Sequence, residues 1–185
     1  MRRWTLLLLG LLVIVPMARA GELAGVNLSD TVTVGDTQLT LNGMGLRKKA
    51  IFKVYVAGLY LEETSQDPAA IMSSDGPKRV VMHFLTGKAT KKKMDAAWQE
   101  GFEANSPSQY ASLSAQVTRF ADFFGDMKDG DRIELTIVSG SGTTAALNDE
   151  VVGTIEGDAF GRALLAVWLG DHPPSEDLKN GLLGK

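Results

Sequence analysis

Apolar residues in the first third of the chain follow the two-residue repeat that is typical of β-strands. Residues 32–41 alternate on both sides of Gly35-Asp36, which predicts a small hairpin. From Ala50 to Leu61 both phases of the alternation are apolar, so this strand should be covered on both faces and lie centrally in a sheet. Further strands are predicted at residues 78–85, 133–137, 144–147 and 151–155, the last two as a hairpin around Asn148-Asp149.

Elsewhere apolar residues recur every three or four positions, which predicts helices with one apolar face. In one of them Met94, Trp98 and Phe102 form a narrow apolar stripe. The predicted helices cover residues 67–72, 90–104, 108–124 and 159–169, followed by a last turn capped by Ser175. Strands, then helices, then strands and a final helix indicate an α+β fold.

Two glycines, Gly43 and Gly45, precede the long apolar strand and predict a tight turn. Arg47 then lies between that turn and the strand, where a guanidinium could hold a carboxylate or a polarised carbonyl oxygen. Alternatively, Arg47 is a solvated residue of an Arg-Lys-Lys turn. Tyr55 in the strand is either a hydroxyl donor to a ligand oxygen or a core aromatic residue.

The first 20 residues have the order of an export signal. Arg2 and Arg3 precede an apolar run from Leu6 to Val15, and Ala18-Arg19-Ala20 is a suitable cleavage site. The run is short for a membrane span, so we expect no stable membrane anchor. We therefore predict a signal peptide over 1–20 and one periplasmic, monomeric domain over 21–185, stabilised without disulfides because the chain has no cysteine.

Charge and motifs exclude several functional classes. The chain has 19 basic and 22 acidic residues, and its only long basic tract is Lys88–Lys93, so we expect no nucleic-acid binding and weak attraction to anionic membranes. The two histidines, His83 and His172, have no ligand-spaced partners, and we predict neither a metal nor another cofactor. Nucleotide-binding and serine-hydrolase motifs are also absent from the sequence.

Two segments resemble a known family. Gly-x-Gly-x-Arg, followed by Lys-x-Tyr-x-Ala-Gly-Leu-Tyr-Leu-Glu, is similar to the core of the chalcone isomerase fold, particularly its bacterial secreted branch. The run from Ala159 to Lys179 resembles the closing helix of that family and the segment after it. The resemblance covers roughly residues 32–184 and implies an antiparallel sheet covered by a layer of helices.

The resemblance also assigns expected roles to residues. Arg47 matches an arginine that the catalytic members and their fatty-acid-binding relatives share. Tyr55 matches a catalytic-site threonine of the plant enzymes, and the fatty-acid-binding relatives carry a tyrosine at or beside this position. The helix at 90–104 lacks the tyrosine of the plant enzymes, and Val167-Trp168 replaces their polar pair.

The chain thus keeps the arginine but lacks the polar side chains that surround it in the plant enzymes, where they orient the substrate for ring closure. This combination implies ligand binding rather than catalysis of ring closure. We therefore expect a non-catalytic protein that binds a small amphipathic carboxylate such as a fatty acid. Arg47 and Tyr55 would hold its polar end, while Trp98 and Trp168 would line the apolar part. The alternatives are an intramolecular lyase acting on a phenolic substrate and a structural or partner-binding protein without a small ligand.

Overall fold

The computed structural model describes residues 21–185 and forms, within that range, nine strands and five helices. The predicted signal peptide lies outside the described residues. The strands are β1 (Gly21–Leu23), β2 (Val26–Leu28), β3 (Thr31–Val34), β4 (Thr37–Lys49), β5 (Phe52–Leu61), β6 (Lys78–Phe84), β7 (Arg132–Val138), β8 (Gly142–Leu147) and β9 (Glu150–Ile155). The helices are α1 (Pro68–Ser73), α2 (Lys91–Asn105), α3 (Pro107–Ala121), α4 (Asp158–Leu169) and α5 (Glu176–Leu182).

Strands β3 to β9 form one seven-stranded sheet in which every pair of sequence neighbours is antiparallel. Strand β5 lies between β4 and β6, which confirms that the long apolar strand is internal to the sheet. Helix α1 follows β5, helices α2 and α3 follow β6, and helices α4 and α5 follow the last strand, β9. The α+β prediction, with an antiparallel sheet covered by helices, is therefore confirmed.

The two phases of β5 enter two separate cores. Tyr55, Ala57, Leu59 and Leu61 belong to the main core with the helices. Val56 and Tyr60 enter a smaller core on the opposite face of the sheet. Residues of the β1–β2 hairpin and of strands β3 and β4 also belong to this smaller core. The apolar character of both phases thus reflects two layers of cover on one strand.

The predicted turn at Gly43 and Gly45 is wrong, because both residues lie inside strand β4. The chain turns later, at Ala50 and Ile51, where Ala50 has a positive φ of 53°. The glycines serve a close approach of α5. A Cβ atom on Gly43 would lie 2.2 Å from the Gly181 carbonyl oxygen, and one on Gly45 would lie 2.4 Å from that of Leu178.

The remaining elements follow the predictions with shifted ends. Helix α3 stops at Ala121, before the predicted end at Phe124, yet Phe124 is still buried. Strand β8 begins at Gly142, two residues before its predicted start, and Gly142 pairs with Val138. Asn148 and Asp149 form the predicted hairpin turn, both with positive φ. Among residues 21–185, no helix is long and apolar enough to cross a membrane.

Candidate functional site

The pairing of β4 with β5 brings Arg47 and Tyr55 together. They are direct partners in the antiparallel register, so their side chains leave the sheet on the same face. A register shift follows immediately between Arg47 and Lys48. Arg47 thus lies within a strand, on the helix-covered side of the sheet, and the interpretation of this residue as part of a solvated turn is wrong.

The Arg47 guanidinium is anchored at one of its nitrogens. Nη1 donates to the carbonyl oxygens of Lys48, at 2.8 Å, and of Pro174, at 2.7 Å. Within residues 21–185, Nε and Nη2 make no hydrogen bond, and no carboxylate forms a salt bridge with the side chain. The half-buried Arg47 therefore keeps donors available on a charged group of fixed position.

Tyr55 is almost fully buried, and its hydroxyl oxygen accepts a hydrogen bond from Trp168 Nε1 at 3.2 Å. Burial raises the pKa of the Tyr55 phenol, while the hydrogen bond from Trp168 and the charge of Arg47 lower it by less. The phenol is therefore protonated near neutral pH. Its own proton has no acceptor within the described chain, so Tyr55 can donate to a ligand oxygen.

The two tryptophans predicted to line an apolar region pack edge to face. The ring centroids of Trp98 and Trp168 are 5.7 Å apart at an interplanar angle of 82°. Both side chains are buried, Trp98 on α2 and Trp168 on α4. Trp98 Nε1 is buried and has no hydrogen-bond partner within residues 21–185.

All four predicted site residues line one cavity of about 590 Å³ between the sheet and helices α2 and α4. Its buried floor includes Tyr55, Trp98 and Trp168, together with Met82 and Met94. Phe52 and Val54 also line it, at the start of the strand that carries Tyr55. The volume lies in the range of small-molecule binding pockets, and the lining is mostly apolar with few polar groups.

The exposed rim of the cavity carries a basic group of residues that sequence reasoning missed. Lys49, Lys88 and Lys93 line it, with Glu100 as the acidic residue among the lining side chains. Lys49 comes from β4, whereas the other two come from the β6–α2 connection and α2. Only the folded chain brings these segments together, although the tract Lys88–Lys93 is recognisable in the sequence as a basic run.

A second feature that sequence reasoning missed is the row of small residues on the face of α2 that lines the cavity. Ala97, Gly101 and Ala104 line it at helical spacing. A Cβ atom on Gly101 would approach a Val167 methyl group to 2.8 Å, so glycine permits the close packing of α2 on α4 here. The signal in the sequence is the recurrence of small residues every three or four positions, next to the stripe formed by Met94, Trp98 and Phe102.

Within residues 21–185, no group of three His, Asp or Glu side chains is arranged to hold a metal ion. His83 lies in β6, and His172 is an exposed residue at the cavity rim. Apart from Glu100, the charged side chains that line the cavity are the cations Arg47, Lys49, Lys88 and Lys93, which suit an anionic ligand group.

Comparison with known proteins agrees with this architecture. The family model for chalcone isomerase-like proteins matches residues 20–184. The chain belongs to the chalcone isomerase-like family. No curated protein sequence matches the chain.

Among solved structures, the crystal structure of an Arabidopsis thaliana fatty-acid binding protein is similar to the structure of this chain. It superimposes with a TM-score of 0.70, covering 90% of this chain and 95% of the plant chain, at 18% sequence identity. At that identity the similarity establishes a shared fold. It confirms the chalcone isomerase-like fold that the sequence resemblance predicted.

Proposed function

We propose that this protein binds a small amphipathic carboxylate, such as a fatty acid, without converting it chemically. The observation that carries the proposal is the pair Arg47 and Tyr55 on one face of the β4–β5 ladder, at the edge of an apolar cavity. Arg47 keeps Nε and Nη2 without partners in the described chain, and these two groups form an edge suited to a carboxylate. Tyr55 supplies a neutral O–H donor beside it.

The apolar part of the cavity supports a hydrocarbon tail. Its floor consists of buried aromatic and methionine side chains, so a tail displaces no strongly held polar partner there. Each buried methylene contributes about 0.8 kcal/mol to binding. The similar plant structure is that of a fatty-acid binding protein, which is consistent with this ligand class.

The polar end of the site is tested by varying protein and ligand together. Isothermal titration calorimetry should show that the wild type binds a series of saturated fatty acids more tightly than the corresponding methyl esters, which lack the negative charge. Arg47→Ala should weaken acid binding by about 1.5–3 kcal/mol, the usual contribution of a hydrogen bond to a charged group, and leave ester binding nearly unchanged. Arg47→Lys should recover part of the loss because lysine cannot form a two-point contact.

Arg162→Ala is a matched control, since Arg162 is exposed on α4 and does not line the cavity. It should bind fatty acids like the wild type. Equal affinity of the wild type for acid and ester, or binding insensitive to Arg47, would contradict a carboxylate site. Tyr55→Phe should weaken acid binding by about 0.5–1.5 kcal/mol, as expected for one neutral donor.

We further propose that the protein acts in the periplasm as a monomer after export. The order of charged, apolar and small residues in the first 20 positions supports this location. The intact mass of protein purified from its host should lack residues 1–20, with Gly21 as the new N-terminus. A full-length mass recovered from the membrane fraction would identify the segment as an anchor.

A further inference from the structure

The turn between β4 and β5 exposes two large apolar side chains side by side. Ile51 is 88% exposed and Phe52 is 52% exposed. Within residues 21–185, the only other exposed large apolar residue is Val151. We call Ile51 and Phe52 the apolar tip. Because the tip belongs to the longest hairpin of the sheet, its position relative to the cavity is fixed by strand pairing.

Lysines surround the apolar tip. In the register of the hairpin, Lys49 lies opposite Phe52, and Lys48 lies opposite Lys53. Lys88 Nζ lies 4.4 Å from the centre of the Phe52 ring, and Lys93 Nζ donates to the Lys88 carbonyl oxygen at 2.8 Å. We call these five residues the lysine ring: Lys48, Lys49, Lys53, Lys88 and Lys93.

Acidic residues do not neutralise the lysine ring. Residues 43–61 and 76–94, which carry it, contain no Asp or Glu. None of the five lysines forms a salt bridge within the described residues, whereas the neighbouring Lys91 pairs with Asp95 and Asp122. The local positive charge therefore stands against an overall formal charge of −3.

We propose that the apolar tip and the lysine ring together dock this protein on the surface of an anionic phospholipid bilayer. Exposed apolar side chains enter the interfacial region of a bilayer, and adjacent lysines keep their ammonium groups among the headgroups. Neither signal is strong alone, but the combination of an apolar contact with a basic patch gives stable attachment. This proposal replaces the weak attraction to anionic membranes that the overall charge predicts, because charges beyond about 8 Å are largely screened at physiological ionic strength and the local patch decides the interaction.

The same side chains connect docking to the cavity. Phe52 and three lysines of the ring (Lys49, Lys88 and Lys93) also line the cavity. Docking through them turns the cavity toward the lipid surface. An amphipathic ligand could then pass between bilayer and cavity, but the docking itself does not depend on which ligand the cavity holds.

A second copy of the chain is a poor occupant of this surface. Contact between two apolar tips would bring two lysine rings together, and like charges at short range oppose association. A nucleic acid would satisfy the lysines but would leave Ile51 without an apolar partner. The lipid surface is the partner that satisfies both features.

Vesicle flotation tests the proposal with protein lacking residues 1–20 and vesicles of phosphatidylcholine alone or mixed with phosphatidylglycerol. The wild type should float with the mixed vesicles and not with phosphatidylcholine alone, and salt of about 1 M, where screening acts within about 3 Å, should release it. Neutralising two ring lysines as Lys48→Gln with Lys53→Gln should weaken the partition coefficient by about fivefold per lysine. Ile51→Ser should weaken it severalfold without altering the charge. None of these three side chains lines the cavity, and Lys48→Gln keeps the backbone carbonyl oxygen that accepts from Arg47, so these variants should retain fatty-acid binding.

Val151→Ser is the matched control, because Val151 is 70% exposed in β9, next to the β8–β9 turn, but lies beside Asp149 and Glu150. It should float like the wild type. Equal flotation of Ile51→Ser and wild type, or flotation independent of phosphatidylglycerol, would overturn the proposal. Light scattering and a gel-shift assay with single-stranded DNA address the other occupants. A dimer abolished by Ile51→Ser, or DNA binding tighter than vesicle binding, would also overturn it.

Discussion

Replacement of Gly45 by alanine tests how helix α5 is seated on the sheet. Gly45 lies in β4, two residues before Arg47, and α5 packs against this part of the strand. The carbonyl oxygen of Pro174, just before α5, is one of the two acceptors that hold the Arg47 guanidinium. A displacement of α5 should therefore affect both stability and the position of Arg47.

The magnitude follows from the available space. An alanine Cβ at position 45 would lie 2.4 Å from the Leu178 carbonyl oxygen and 2.8 Å from a Leu178 methyl group, while ordinary contacts begin at 3.4 Å. The helix must retreat by about 1 Å, and backbone atoms cannot rotate away as a side chain can. Overpacking of this kind costs about 1–3 kcal/mol. For a domain of this size that corresponds to a melting temperature lower by roughly 2–12 °C.

Differential scanning calorimetry of Gly45→Ala against Gly125→Ala decides the question. A Cβ atom added at Gly125 would meet no atom within 4 Å, and the residue needs no positive φ, so alanine there should leave stability unchanged or slightly raised. Gly45→Ala should also weaken fatty-acid binding if Pro174 positions Arg47. A Gly45→Ala protein as stable as Gly125→Ala would refute the close approach of α5 to β4.

Three further predictions concern the core, the pH response and catalysis. Lys78 is only 4% exposed and donates through Nζ to the carbonyl oxygens of Ser74 and Gly76. Lys78→Met should therefore reduce the free energy of unfolding, measured by urea titration, by about 1–3 kcal/mol. An unchanged free energy of unfolding would contradict this role. Hydrogen bonds from the Lys128 backbone N–H and the Asn148 side chain lower the pKa of Asp131 below the ordinary value of an aspartate. Asp131→Ala should therefore melt below the wild type at neutral pH, and the difference should disappear as the pH falls through the lowered pKa; a difference that persists in strong acid would exclude this cause. Purified protein should not accelerate the ring closure of naringenin chalcone, because Val167 and Trp168 replace the polar pair of the plant enzymes. Rapid, stereospecific product formation that is lost in Arg47→Ala would instead establish an enzyme.

Much of the architecture was determined by local patterns in the sequence. The apolar residues on both phases of 50–61 required cover on both faces, and β5 is internal to the sheet with a core on each side. Asp67 accepts hydrogen bonds from the first amides of α1, and Ser175 caps α5, as short polar side chains before a helix predict. These features depend on residues close in sequence, which is why they could be predicted.

The glycines of β4 show where local reasoning failed. Gly43 and Gly45 indicated a turn because glycine is common in turns, but they lie in a strand because α5, more than 130 residues later, approaches the backbone there. A position can require glycine because the backbone has a positive φ or because another chain segment approaches the backbone closely. The sequence alone does not distinguish these two causes. Their misassignment also placed Arg47 in the wrong element.

The candidate site was identified in part from single residues and completed only by the tertiary structure. Arg47, Tyr55, Trp98 and Trp168 were all selected from the sequence and its family resemblance, and all four line one cavity. The carbonyl oxygen of Pro174 on Arg47, the hydrogen bond of Trp168 to Tyr55 and the gathering of lysines around Phe52 involve segments far apart in the chain. The sequence by itself determined which chemical groups are present, and the antiparallel register with helix packing decided which of them meet.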